Sequence, residues 1–231
     1  MTRPLTLDEG RLRMVLPGTW VRVPMDDAAR AQAEVRRTVR DRVGRADRLA
    51  RLRRESVNDI LATVAQAVEV GAHTFLLALE LLPGVPFPAA VVGTDAAWPD
   101  DVAGLLADDR LAEALTAAFP DREVVEMAHG PVARTTDLTR DSVGESSYLT
   151  LHLEYLVPDP AGVLLLLRVN VPTIPDVEPF ATLFDEIVDS IRWAPGRGPS
   201  PVEPETGRAE AEPGAPAQAV PGEPVPAETA R

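Results

Sequence analysis

His152 and Glu154 are separated by a single residue, and Arg168 and Asn170 repeat that spacing further along the chain. In an extended backbone such pairs point to the same face. If the two segments are neighbouring strands, all four side chains meet there. A histidine beside a carboxylate is the raw material of general acid-base chemistry. This set would serve a hydrolase-type enzyme or a small-molecule site built on His152, Glu154 and Arg168. A metal reading is poorer, since His152 and Glu154 give two donors at i and i+2 without a third. No serine elbow or phosphate loop accompanies them. Antiparallel sheets commonly wet one face, which explains the four residues with no chemistry at all. Glu80, at a polar position of another strand, is a further candidate for this face. His73 and His129 fall at element ends. The expectation is a protein that is not an enzyme and has no cofactor or metal.

The elements that position these residues lie between Ser147 and Trp193. Leu149, Leu151, Leu153, Tyr155 and Val157 alternate with Tyr148, Thr150, His152, Glu154 and Leu156, a period of two that predicts a strand with one apolar row. Pro158, Asp159, Pro160, Ala161 and Gly162 provide the turn. The return strand, Val163 to Val171, sets Val163, Leu165, Leu167, Val169 and Val171 against Leu164, Leu166, Arg168 and Asn170. Asp176 is the expected N-cap of a final helix whose stripe is Phe180, Leu183, Phe184, Ile187 and Ile191, with Asp185, Glu186 and Asp189 pointing away.

Upstream, Leu12, Met14 and Leu16 lead through Pro17 and Gly18 to Trp20, Val21, Arg22 and Val23, which reads as a short opening hairpin with Trp20 as a packing anchor. Asp26 or Asp27 caps a long helical region that Gly44 interrupts and Gly71 ends. This region concentrates arginine from Arg30 to Arg54. Phe75, Leu77, Leu79 and Leu81 alternate with Leu76, Ala78, Glu80 and Leu82 in a strand whose partner runs from Phe87 to Thr94. A helix broken near Asp108 and Asp109 follows, then weaker strands at Glu123 to Met127 and Pro131 to Leu138, and a polar loop at Thr139 to Ser146. Large apolar residues almost vanish after residue 193. The expected organisation is an α/β domain over 1–193 and a disordered Pro/Ala/Glu-rich tail over 194–231, whose PxxP spacings lack basic neighbours and read as spacer.

The chain has 231 residues, 45% of them hydrophobic, and all 23 basic residues are arginine. A formal charge of −13 speaks against nucleic-acid or anionic-membrane binding by the whole molecule. Cysteine is absent, which excludes disulfides and thiolate chemistry. No apolar signal core or membrane-length segment is present, so a cytoplasmic protein is expected. Against the acidic background, the arginine-rich helix is expected to meet an acidic protein surface or a second copy of the chain, with Arg36, Arg40 and Arg48 as the binding residues.

Three stretches, "RLRMVLPGTWVRVP", "YLTLHLEYLVPDPAGVLLLLRVNVPT" and "EPFATLFDEIVDSIRW", resemble the PsbP-like superfamily over most of residues 5 to 193. That group includes a photosystem extrinsic protein, a Ran-binding import factor, bacterial lipoproteins and secretion-effector chaperones. The resemblance implies an α/β sandwich of α+β type, a largely antiparallel sheet flanked by helices. It further implies a non-catalytic protein-binding module or an adaptor or chaperone-like protein, with an association with protein secretion. The Tyr155 to Asp159 spacing also resembles the Tyr-x-x-x-Asp secretion tag, but that tag follows a helical hairpin and this tyrosine lies in a core-facing strand row.

Overall fold

In the computed structural model of the chain, residues 2–143, 146–174 and 176–194 are described. The expected tail beyond residue 194, with its PxxP spacings, lies outside them. The fold is mixed α/β, built on antiparallel sheets. Strands β1 (Thr2–Leu7), β2 (Leu12–Pro17), β3 (Thr19–Arg22), β4 (Thr74–Leu82), β5 (Val85–Pro86), β6 (Ala90–Ala96), β7 (Glu123–Met127), β8 (Gly130–Val143), β9 (Ser146–Pro158), β10 (Leu164–Ile174) and β11 (Arg192–Trp193) are joined by helices α1 (Ala28–Val43), α2 (Ala50–Glu69), α3 (Ala103–Ala107), α4 (Leu111–Ala118) and α5 (Glu178–Asp189). The main sheet is eight-stranded in the order β3-β4-β6-β10-β9-β8-β7 with β5 beside β4, and a three-stranded sheet has the order β1-β2-β11. No helix among the described residues is long and apolar enough to cross a membrane.

The β9–β10 pair forms as its alternation requires. Asp159 orders the turn, its carboxylate accepting from Ala161 N at 2.7 Å, and Gly162 takes a φ of 87° that favours glycine. The apolar row of Leu151, Leu153, Tyr155, Val157, Leu165, Leu167 and Val169 enters one core with Leu12, Met14 and Leu16 of β2 and Phe184, Ile187 and Ile191 at α5. The opposite face of the sheet is covered at two ends. Helices α1 and α2 close over Phe75 with Val35, Val39, Val64 and Ala67, while Leu115 of α4 meets Ala133, Leu156 and Leu164.

Several expectations are corrected. Strands β2 and β3 do not form a hairpin: β2 pairs with β1 and β11, and β3 with β4. The Pro17–Gly18 corner passes the chain between sheets, and a side chain at Gly18 would come within 2.0 Å of the Glu80 carbonyl oxygen. Trp20 is the anchor expected, donating Nε1 to Pro17 O at 2.7 Å and meeting Phe184 edge-on at 6.4 Å. The polar stretch Thr139–Val143 is strand, because β8 pairs with β9 up to Val143↔Ser146. The cap of α5 is Val177, not Asp176, and no side chain caps it. Asp185 does not point away: it accepts from the Tyr155 hydroxyl at 2.9 Å and pairs with Arg134. Tyr155 is fully buried, and burial, reinforced by the Asp185 carboxylate, pushes its hydroxyl pKa up. It is a permanent donor and no accessible tag.

Candidate functional site

The register of the main sheet assembles the polar residues. Glu154 lies directly across from Arg168 and His152 from Asn170. On the other side of β9, Thr135 faces Glu154 and Asp137 faces His152. Continuing past β10, Arg168 faces Val92 and Asn170 faces Ala90, and these face Phe75 and Leu77 of β4. Two cross-strand rows therefore run from polar on β8, β9 and β10 to apolar on β6 and β4.

Helices α1 and α2 roof the apolar end, and the space beneath is a groove of about 720 Å³. Its roof is built at helical spacing from Thr38, Val39, Arg42 and Val43 of α1 and Ser56, Asp59, Ile60 and Thr63 of α2, above Phe75, Leu77, Ala90 and Val92; His152, Glu154, Arg168 and Asn170 form its polar end. The groove exists because the helix pair closes unevenly. Val35, Val64 and Ala67 are buried, whereas Val43, Val57, Ile60 and Leu61 are only partly so. Asp27 fixes the start of α1 by accepting from Ala29 N and Arg30 N, and Gly44 ends it with a φ of 92°. Arg53 ties the turn to α2 by donating Nη1 to Gly44 O at 2.7 Å and Ala46 O at 2.9 Å.

The polar end is internally bonded. Glu154 accepts from Arg168 Nε at 2.8 Å and from Arg122 Nη2 at 2.7 Å, one arginine on each oxygen. Burial opposes ionisation of Glu154, but the hydrogen bonds and charges of Arg168 and Arg122 outweigh it and hold the carboxyl below its ordinary range. The Arg122 guanidinium also lies 5.9 Å from the Phe119 ring centroid. His152 Nε2 is 3.0 Å from Thr139 Oγ1, and its Nδ1 is 3.3 Å from Asn170 Nδ2. With the amide nitrogen as donor, Nδ1 accepts and Nε2 carries the proton. A carboxylate clamped by two guanidiniums is a poor base. No group of three or more His, Cys, Asp or Glu side chains able to hold a metal occurs among the described residues.

Sequence reasoning thus located four floor residues that the sheet does bring together. Glu80 does not join them, because β6 separates β4 from β10. A register irregularity opposite Thr19 and Trp20 turns Glu80 out of the row of Leu76 and Ala78 and into an ion pair with Arg42 at 2.8 Å. The arginine candidates do not form one cluster. Arg36, Arg40 and Arg48 are all exposed, and none is ion-paired among the described residues. Only Arg40 enters a group, with Arg45 and Arg53, around a 300 Å³ depression at the α1–α2 turn. The roof of the groove was missed. Its signal was the polar Thr38, Ser56, Asp59 and Thr63 interleaved with the apolar residues of two helices otherwise read as plain core packers.

Compared with known protein families, the chain matches no family model, and it has no significant similarity to any curated protein.

Proposed function

We propose that this protein is a non-catalytic binding protein whose groove under α1 and α2 takes a small molecule with an apolar body. The observation that carries this reading is the groove itself. Its volume of about 720 Å³ lies in the range of small-molecule sites, roughly 300 to 1,000 Å³, and it combines apolar walls with a few convergent polar groups, as such sites do. The clamping of both Glu154 oxygens by arginines supports binding over catalysis. We extend to the fold the likeness to PsbP-like sandwiches, whose members are mainly binding proteins; the antiparallel main sheet with α5 on one face is consistent with it. The experiment is titration with Nile red, an uncharged apolar dye that brightens in dry sites. Saturable binding that Ala90→Trp abolishes by filling the groove floor supports the reading. Equal binding by folded Ala90→Trp counts against it.

A second reading rests on charge complementarity between two flanks. The α1–α2 turn gathers Arg40, Arg45 and Arg53, and Arg36 and Arg48 are exposed elsewhere in the same region, while the α3–α4 segment exposes Asp100, Asp101, Asp108, Asp109 and Glu113. A second copy of the chain, set head to tail, would bring these flanks together.

A further inference from the structure

From the charges at the polar end of the groove, we infer that its ligand is a single-chain amphiphile with an anionic head, a carboxylate or a phosphate monoester. The head binds Arg168, and the tail lies on Val92, Ala90 and Leu77 beneath Val39, Val43 and Ile60. This assignment rests on the groove reading above and adds the chemistry of the ligand.

Glu154 is one carboxylate shared by two guanidiniums, so it neutralises Arg168 only in part; Asp137, across from His152, is exposed and does not line the groove. Donors are also in excess. A guanidinium has five N–H groups, and Arg168 commits only Nε to a described acceptor. Its side chain is 48% exposed, so the Nη atoms remain within reach of a ligand. Arg122 does not line the groove; its part is to occupy the second Glu154 oxygen from outside it. Arginine matches carboxylate and phosphate geometry through paired N–H groups. The other lining carboxylate, Asp59, is an exposed residue of the roof, whereas Arg168 belongs to the floor. The arrangement of rows then fixes the polarity of the bound molecule: the same two rows that present Arg168 and Asn170 continue into Val92 and Ala90, then Phe75 and Leu77.

The test is competition for Nile red by decanoate, decyl phosphate and decanol, ligands with one tail and different heads. The expected result is displacement by one or both anions about tenfold more tightly than by decanol, the size of one hydrogen-bonded charge contact; the tighter anion names the head. Arg168→Gln should erase that difference, Arg168→Lys should restore part of it, and Glu154→Gln, which raises the local positive charge, should tighten anion binding. Thermal melting checks that each variant is folded. Decanol displacing the dye as tightly as both anions would overturn the anionic head while leaving the groove reading intact. Failure of all three to displace the dye would overturn the amphiphile assignment, whereas dye binding that persists unchanged in folded Ala90→Trp would overturn the groove reading itself.

Discussion

Arg168 stands directly across the β9–β10 pair from Glu154 and donates Nε to Oε1 at 2.8 Å. The pair lies where a helix-covered apolar groove opens onto a polar sheet face, and it ties the electrostatics of that opening to the stability of the sheet. The carboxylate orients both Arg168 and Arg122 and leaves Arg168 with charge and donors for something else.

Because Glu154 is held below its ordinary value of 4.5, its unfolded form binds protons more readily than its folded form. The carboxylate therefore stabilises the fold above the ordinary carboxylate range, and that contribution is lost as pH falls through its depressed folded value. Melting temperatures of wild type and Glu154→Gln measured from neutral pH downward should differ most at neutral pH and converge in acid. A constant difference across this range contradicts the account.

The Tyr155 hydroxyl and Asp185 bind α5 to the far face of the sheet, away from the groove. Tyr155→Phe removes one buried bond to a charged acceptor, with an expected cost of about 1.5 to 3 kcal/mol. Urea denaturation should register that loss, and Nile red affinity should stay at the wild-type value.

Arg11 joins three parts of the fold. It pairs with Asp8, with Asp95 at 2.6 Å and with Asp159 at 3.4 Å. Arg11→Ala would leave the buried Asp159 carboxylate without that counter-charge, so a destabilisation on the order of 2 kcal/mol is expected. Chemical denaturation measures it, and a neutral effect would show that the cluster is solvated.

Head-to-tail self-association through the two charged flanks should weaken as salt rises. Sedimentation velocity at low and high salt, with wild type beside a variant carrying Arg36→Glu, Arg40→Glu and Arg48→Glu, reads this directly. Salt-sensitive self-association lost in the variant supports the second reading, and a monomer at all salt concentrations removes it.

The parts of the site legible in the sequence were those governed by local periodicity. Alternation in β9 and β10, joined by the Asp159–Gly162 turn, is enough to put His152, Glu154, Arg168 and Asn170 on one face, because strand side chains repeat every two residues. The groove was not legible, since it depends on how closely α1 and α2 settle on the sheet, and that is decided by packing between distant residues such as Val64 and Phe75. Glu80 was grouped with those four residues because nothing local in the sequence shows that β6 lies between β4 and β10. The β2–β3 corner misled because Pro-Gly supports a hairpin and a passage between sheets equally well. Thr139 to Val143 read as loop because this end of β8 has little apolar alternation, and its pairing with β9 supplies what the side chains do not signal.

The central claim, an amphiphile seated in the groove, is tested most directly by methyl-resolved NMR during titration with decanoate. The account predicts saturable shifts of the Val39, Val43, Ile60, Leu77 and Val92 methyls, with Leu151 and Leu165 on the opposite face unmoved. Shifts confined to other methyls, or none at decanoate concentrations well above those that saturate the groove in dye competition, would contradict it.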